Sequence, residues 1–185
     1  MVEARVSHIS TQPNDSDAQL ILALRKGDES AFETLYERHH RAVLNIAYRL
    51  LGDRDAAEDI AQEVFVKLYT SPGSYRPTAR LSTWLYRVTH NACIDEIRKR
   101  KNRPVELVPE VHSPEASEPD ELAEAVRAAV AALPEKQRLA VVLQRYEELS
   151  YQEIAEVLGT SVPAVESLLF RARETLKTVL SQYLR

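Results

Sequence analysis

The residues from 150 to 173, SYQEIAEVLGTSVPAVESLLFRAR, constrain the fold more than any other part of the chain. A small residue, a glycine and two aliphatic residues follow one another at the spacing of a helix-turn-helix: Ala155, Gly159, Val165 and Leu168. The small residue lets two helices cross closely, and the glycine adopts the positive-φ turn between them. We predict a second helix that reads DNA, with a helical pair used only for packing as the alternative.

Residues typical of helix starts precede both helices. Ser150 with Glu153 forms a capping box, so the first helix should begin near Tyr151. Ser161 can cap the second helix, and Pro163 would lie in its first turn, where a missing N–H breaks no hydrogen bond. The caps and the spacing therefore predict the same two helices.

The second helix divides into a buried side and an outward side when each residue turns by about 100°. The residues predicted to face outward are Glu166, Ser167, Phe170, Arg171, Glu174 and Lys177. The first four, nearest the N-terminus, are at the positions where a recognition helix meets base edges. Arg171 can pair with guanine, and Phe170 can lie against a thymine methyl group or pack against the preceding helix. Arg173, on the flank, suits a phosphate, whereas Glu166 repels one.

The composition excludes several classes of protein. The formal net charge of −4 is unusual for a stand-alone DNA-binding protein, because phosphate neutralisation supplies most non-specific affinity. DNA binding is therefore confined to local patches, or the chain reaches DNA within a larger assembly. The absence of sustained period-two alternation predicts an all-α fold. The single cysteine suits a reducing cytoplasm, and no apolar run approaches the roughly 18 residues of a membrane span.

Composition also predicts two small helical domains joined by a flexible acidic linker. Residues 1–16 are polar and lack periodicity, which indicates a disordered N-terminus. The first domain covers 17–103, with helix breaks at Gly27-Asp28, at Gly52-Asp53 and over 71–80. The linker, 104–120, is rich in Pro, Ser and Glu. The second domain, 121–185, contains the helix-turn-helix.

One predicted helix of the first domain, from Asp55 to Tyr69, has an acidic face opposite an apolar stripe. The stripe consists of Ala57, Ile60, Ala61, Val64 and Leu68. The other face consists of Asp55, Asp59, Gln62, Glu63 and Val66. An acidic face is ordinarily only solvated, but an aliphatic residue among acids is typical of a docking surface for a basic partner.

A second predicted helix, from Thr83 to Lys101 with Ser82 as its cap, is apolar around most of its circumference. The remaining stripe holds Trp84, Arg87, Asn91 and Arg98. Tryptophan can stack on a base and asparagine pairs with adenine, so this stripe favours contact with nucleic acid. The alternative for Trp84 is a place in the core. The basic cluster after it can instead reflect the preference of a helix C-terminus for cations.

The chain offers few groups for catalysis or metal binding. The candidate nucleophiles or metal ligands are His39, His40, His90 and Cys93. His90 and Cys93 lie one helical turn apart, but a zinc site needs about two more ligands. We therefore expect no catalytic residue, no metal and no cofactor.

Three segments in this order resemble the extracytoplasmic-function (ECF) sigma factors of bacterial RNA polymerase. They are DAAEDIAQEVFVKLY, LSTWLYRVTHNACIDEIRKRK and LPEKQRLAVVLQRYEELSYQEIAEVLGTSVPAVESLLFRARETL, and the resemblance covers about residues 18–183. It implies two helical domains, regions 2 and 4, and a function in promoter-specific initiation of transcription. It also implies core RNA polymerase (its β′ coiled coil and β flap), promoter DNA and an anti-sigma factor as partners of a cytoplasmic chain that is monomeric when free and does not insert into membranes.

The resemblance assigns residues to each contact. It places Asp55, Asp59, Gln62 and Glu63, beside the exposed Val66, on the helix that docks on the polymerase. It places Arg80, Ser82, Thr83, Trp84, Arg87 and Asn91, followed by Arg98, where the −10 element is captured and melted. It places Tyr151, Glu166, Ser167, Phe170, Arg171, Arg173 and Lys177 at the −35 element.

Two further interpretations remain open at this point. One is a stand-alone helix-turn-helix regulator that binds an operator as a dimer, which leaves the acidic face and the Trp84 stripe unexplained. The other is a sigma-like interaction module that titrates an anti-sigma factor.

Overall fold

The computed structural model describes residues 15–76, 80–102 and 121–183, and these residues form helices and no strand. The prediction of an all-α fold is therefore confirmed. The predicted linker and residues 1–14 lie outside the described residues. The helices are α1 (Asp15–Leu24), α2 (Glu29–Leu51), α3 (Arg54–Thr70), α4 (Leu81–Asn102), α5 (Glu121–Ala131), α6 (Glu135–Tyr146), α7 (Tyr151–Leu158) and α8 (Val162–Val179), with short 3₁₀ turns at Pro72–Ser74 and Ser181–Tyr183.

Local sequence explains where the first helices begin and end. The carboxylate of Asp28 accepts hydrogen bonds from the N–H groups of Ser30 and Ala31 and so caps α2. Gly52 ends that helix with a φ of 71°, a conformation that glycine adopts without strain. The predicted breaks at Gly27-Asp28 and Gly52-Asp53 are confirmed. At the N-terminus, α1 begins at Asp15, two residues before the predicted start of the domain.

Asp53 starts α3 and also ties it to the end of α4. Its carboxylate accepts the Ala56 N–H at 3.1 Å and the Arg100 guanidinium at 2.9 Å. The hydrogen bond from Ala56, with Arg100 beside it, holds the pKa of Asp53 below its usual value of 3.8. A carboxyl whose pKa is lowered by folding stabilises the folded chain above that value, and the effect is lost as the pH falls.

We therefore expect Asp53→Ala to lower the free energy of unfolding by about 1 kcal/mol near neutral pH, the usual cost of losing a helix cap. The difference from the wild type should shrink as the pH falls below about 4, because the wild-type carboxylate is then protonated. Urea unfolding of both chains at neutral and at acidic pH measures it. An equal difference at both pH values would contradict the capping role.

Helices α1 to α4 form one group around an apolar core. Helix α2 packs against α1, α3 and α4, and α3 packs against α4. The apolar stripe predicted for α3 is buried in this core, as are Leu35, Ile46 and Leu85. Helix α4 begins at Leu81, so the prediction that Ser82 caps it was wrong. Leu81 is itself buried in the core, and this packing draws the start of the helix ahead of Ser82.

Helices α5 to α8 form a second group that contains the predicted helix-turn-helix. Ser150 and Glu153 form the complete capping box at the start of α7. Gly159 ends α7 with a φ of 60°. Ser161 is the residue before α8, with Pro163 in the first turn, but its side chain makes no capping hydrogen bond. The two groups of helices contact each other, α4 against α7 and α2 against α6.

Candidate nucleic-acid interface

Helix α8 presents a polar face to solvent. Val165, Leu169 and Ala172 are buried against α6 and α7, which fixes the rotation of the helix. The residues on the opposite side are exposed: Glu166, Ser167, Phe170, Arg171, Arg173 and Lys177. Phe170 is 64% exposed, so it does not pack against the preceding helix. An aromatic ring held in water by a well-packed helix is available to a partner.

The flank of α8 lies against the start of α7. The Arg173 guanidinium donates a hydrogen bond to the Tyr151 hydroxyl at 3.2 Å, and the Gln144 side-chain amide approaches the same hydroxyl at 3.4 Å. Tyr151 and Arg173, predicted separately from the sequence, therefore meet at one edge of the helix-turn-helix. A guanidinium at this edge can reach a DNA phosphate while α8 lies in the groove.

The acidic face of α3 is exposed along its whole length. Asp55, Asp59, Gln62 and Glu63 are all exposed, and Val66 among them is 58% exposed. Tyr69, which was not predicted as part of this face, extends it by one turn and donates a hydrogen bond to the Glu29 carboxylate at 3.2 Å. The α3 face is therefore acidic with an apolar centre, which suits a basic protein surface.

The stripe predicted on α4 is only partly exposed. Arg87, Asn91 and Arg98 face solvent, whereas Thr83 and Trp84 are 5% and 6% exposed. The Trp84 ring meets the Tyr75 ring edge to face, with centroids 6.3 Å apart. We call the seven residues that the sequence assigned to this region the α4 surface: Arg80, Ser82, Thr83, Trp84, Arg87, Asn91 and Arg98.

A cleft of about 490 Å³ opens on the α4 surface. Its walls come from the loop before α4, from α4 itself and from α7 in the second group of helices. The lining residues are Ser74, Tyr75, Arg76, Thr83, Trp84, Arg87 and Glu156. Aromatic rings beside guanidinium groups are suited to bind a nucleobase by stacking and by charge.

Arg25, at the end of α1, positions the loop that lines this cleft. Its guanidinium donates hydrogen bonds to the Pro72 carbonyl oxygen at 3.1 and 3.2 Å and to that of Tyr75 at 2.7 Å. Arg25 was not predicted as a site residue, because nothing in its local sequence pattern indicates a contact with a loop 47 residues away. The glycine and prolines of that loop indicate an irregular backbone, whose carbonyl groups need hydrogen-bond partners from outside the loop. No other feature of the sequence pointed to this contact.

Contacts with acids of the second group also occupy the α4 surface. Arg80 forms an ion pair with Glu153 at 3.0 Å. The Tyr86 hydroxyl donates a hydrogen bond to the Glu147 carboxylate at 2.9 Å. Burial, with Glu147 alongside, raises the pKa of Tyr86 well above its usual value of 10, so the hydroxyl is the donor. The sequence did not predict Glu147, Glu153 or Glu156 as neighbours of this surface.

The candidates for catalysis do not assemble into a site. Burial raises the pKa of the Cys93 thiol to about 12, which keeps it protonated. Burial lowers the pKa of His90. His39 lies 2.9 Å from the buried Asp17, which also pairs with Arg38 at 2.9 Å. Within the described ranges, no three His, Cys, Asp or Glu side chains are grouped as metal ligands, and no helix could span a membrane.

Comparison with protein-family models gives two matches. Sigma-70 region 2 matches residues 35–103, and sigma-70 region 4 matches residues 123–176. Among curated proteins, the chain is 33% identical to the RNA polymerase sigma-H factor of Pseudomonas aeruginosa, over 92% of this chain and 97% of that one. It is also 33% identical to the ECF RNA polymerase sigma factor SigW of Bacillus subtilis, over 86% and 94% of the two chains.

Two solved protein complexes contain a chain with the same fold. CnrH, in complex with the cytosolic domain of CnrY, superposes with a TM-score of 0.70 at 26% identity, over 91% of this chain and 99% of that one. The sigma factor RpoE in complex with the anti-sigma factor NepR, from Bartonella quintana, has a TM-score of 0.67 at 24% identity, over 81% and 96%.

Proposed function

The chain belongs to the extracytoplasmic-function sigma factors of the sigma-70 family, and on that premise we propose how its surfaces divide the work of promoter-specific initiation. The acidic face of α3 docks on core RNA polymerase. Helix α8 reads duplex DNA at the −35 element. The α4 surface captures a base of the −10 element, and no covalent bond is made or broken by the chain.

The observation that carries this proposal is the combination of an acidic docking face and an outward DNA-reading helix in one chain. A chain of net charge −4 has little general affinity for DNA, because phosphate contacts supply most of that affinity. Docking of the α3 face on polymerase compensates for this low affinity, because the larger enzyme supplies the non-specific contacts with DNA. The acidic charge then selects the protein partner and leaves sequence reading to local residues of α8 and α4.

At the −10 element the mechanism is capture of an unstacked base. Arg76 and Arg87 supply positive charge at the cleft. The rings of Trp84 and Tyr75 lie in its wall but are only 6% and 1% exposed, so stacking of a base on either ring requires the wall to move as the base enters. Stacking of a base on an aromatic side chain contributes about 1–3 kcal/mol, which offsets the few kcal/mol lost when the base leaves the duplex. Arg25 supports this step indirectly, because it holds the backbone of the loop that forms one wall.

Arg171→Ala should weaken promoter binding by about 1–3 kcal/mol and relax the preference at one position of the −35 element. Arg171 is exposed on the outward side of α8, where a guanidinium can pair with the edge of a guanine. Selection from a randomised promoter library with the reconstituted holoenzyme measures both effects. Weaker binding with an unchanged sequence preference would reject direct reading of a base by Arg171.

Transcription in vitro with core polymerase tests the function as a whole. The chain should confer initiation at defined start sites on core enzyme that has none by itself. A stand-alone regulator would instead protect its operator without polymerase and behave as a dimer in solution. A module that only titrates an anti-sigma factor would fail to direct initiation at all.

We also propose that an anti-sigma factor controls the chain. RpoE of Bartonella quintana, which shares the fold, is bound by an anti-sigma factor. The exposed α3 face and the cleft on the α4 surface would be the natural targets, because covering either one blocks a step of initiation. Co-purification with a binding protein that inhibits transcription in the same assay is the expected result.

A further inference from the structure

The loop between α3 and α4 is held in place by the residue that follows α1. Arg25 donates hydrogen bonds from Nε and Nη2 to the Pro72 carbonyl oxygen at 3.2 and 3.1 Å, and from Nη2 to the Tyr75 carbonyl oxygen at 2.7 Å. One guanidinium therefore binds both ends of the segment from Pro72 to Tyr75, which we call the loop arc. Because arginine presents its donors in a rigid planar fork, these bonds fix the orientation of the loop arc as well as its distance from α1.

The side chain of Tyr75 anchors the loop arc a second time. It is 1% exposed, and its ring meets the Trp84 ring edge to face. Burial raises the pKa of Tyr75 above its usual value of 10, the negative charge of Asp17 raises it further, and the positive charge of Arg25 lowers it. Both charges therefore act on the Tyr75 hydroxyl. The loop arc is tied to the region of α1 by its backbone and by its one buried side chain.

A buried carboxylate in turn fixes α1 on α2. Asp17 is 4% exposed, accepts a hydrogen bond from the Arg38 guanidinium at 2.9 Å and lies 2.9 Å from the His39 ring. The same guanidinium donates to the Ser16 hydroxyl at 2.7 Å. A carboxylate removed from water needs partners of this kind, so the pairing favours one arrangement of the two helices. The position of Arg25 is thereby set by the packed helices and not by the loop that it holds.

The loop arc supplies one wall of the cleft on the α4 surface. Three consecutive residues of the loop line the cleft, namely Ser74, Tyr75 and Arg76, whereas Arg25 does not. A site discriminates between ligands only if its residues are held within about 0.5 Å of the productive geometry. The rings of the wall must move when a base enters, so the backbone that carries them has to stay in place for the accepting shape to be defined.

We propose that Arg25 is a positioning residue for base selection: by fixing the loop arc it determines which base the cleft accepts, without touching DNA itself. The inference rests on the proposed assignment of the α4 surface and its cleft to the −10 element. Loss of the guanidinium releases both ends of the loop arc. The cleft then accepts different bases with more nearly equal affinity.

Arg25→Met tests the proposal, with Lys26→Met as its matched control. Both substitutions remove one exposed, positively charged side chain beside the end of α1, and the first also removes the bonds to the loop arc. Selection from a promoter library randomised at the −10 and −35 elements, with reconstituted holoenzyme, measures the base preference at each position. Arg25→Met should reduce discrimination at one −10 position about three- to tenfold, the effect of losing about one net hydrogen bond. Lys26→Met should match the wild type.

The −35 preference in the same library is the internal control. A partly unfolded variant loses activity on every sequence, and loss of a phosphate contact weakens all sequences nearly uniformly. Neither of these effects changes the preference at a single −10 position. A uniform loss by Arg25→Met, with the −10 preference of the wild type, would therefore overturn the proposal.

Trp84, the single tryptophan of the chain, reports on the same wall without polymerase or DNA. Its ring is 6% exposed, and the centroid lies 6.3 Å from that of Tyr75. Release of the loop arc should expose this ring, so acrylamide should quench its fluorescence about two- to fourfold more efficiently in Arg25→Met than in Lys26→Met. Equal quenching in the two variants would show that the loop arc keeps its place without Arg25, which contradicts the proposal.

Failure of this proposal can be told apart from failure of the proposed function. If the wild-type chain directs initiation and Arg25→Met keeps the wild-type −10 preference, Arg25 does not position the cleft and the sigma-factor assignment of the surfaces stands. If the wild-type chain does not direct initiation with core polymerase, the proposed function fails, and base selection through Arg25 fails with it whatever the quenching of Trp84 shows.

Discussion

Charge reversal of the α3 face, Asp59→Lys with Glu63→Lys, should abolish binding to core polymerase at concentrations where the wild type is saturated. Both carboxylates are exposed and lie one helical turn apart, on the same face of α3 as the exposed Val66. Like charges brought together at an interface cost several kcal/mol, so we expect roughly a hundredfold loss of affinity or more. Fluorescence anisotropy of the labelled chain with core polymerase measures this loss.

The matched control is Glu33→Lys with Glu37→Lys on α2. These two glutamates are exposed and have the same four-residue spacing, so the control changes net charge by the same amount. If the α3 face is the docking surface, the control should retain near wild-type affinity. Both variants should keep the helical circular dichroism of the wild type, because none of the four residues lies in the core. Equal losses in the two variants would indicate a general effect of charge and would reject docking by α3.

The elements that the sequence predicted correctly depend on short-range interactions. The capping box of Ser150 and Glu153 and the left-handed turn at Gly159 involve residues close in the chain, so their pattern is visible in the sequence. The burial of Val64 and Leu68 follows from helical periodicity in the same way. For Phe170 two alternatives stayed open, exposure to solvent or packing against the preceding helix. Periodicity predicts the side of the helix on which a residue lies, but not whether another element packs against that side.

The features that the sequence did not predict are contacts between distant residues. Tyr86 and Glu147 are 61 residues apart in the chain, and Arg25 lies 47 residues from Pro72. Helical periodicity predicted a stripe on α4 that includes Trp84, but it does not place the loop whose Tyr75 ring packs against Trp84, 6.3 Å away between centroids. Such contacts become predictable only when the packing of the two groups of helices is known.

Leu169→Ala should lower the stability of the chain, whereas the adjacent change on α8, Phe170→Ala, should leave stability nearly unchanged and weaken promoter binding. Leu169 is 1% exposed in the core of the helix-turn-helix, so its truncation should lower the free energy of unfolding by about 2–5 kcal/mol. Phe170 is 64% exposed, and its truncation should change that free energy by less than about 0.5 kcal/mol. Urea unfolding followed by circular dichroism gives both values.

Promoter binding separates the two changes further. With the reconstituted holoenzyme, Phe170→Ala should weaken binding to promoter DNA by about 1 kcal/mol, roughly fivefold, if its ring covers a thymine methyl group at the −35 element. Replacing that thymine by uracil, which lacks the methyl group, should weaken the wild type by a similar factor and leave Phe170→Ala almost unchanged. A variant that is as sensitive to this replacement as the wild type would show that Phe170 does not contact the methyl group. The contrast with Leu169 then assigns the buried residue to folding and the exposed one to recognition.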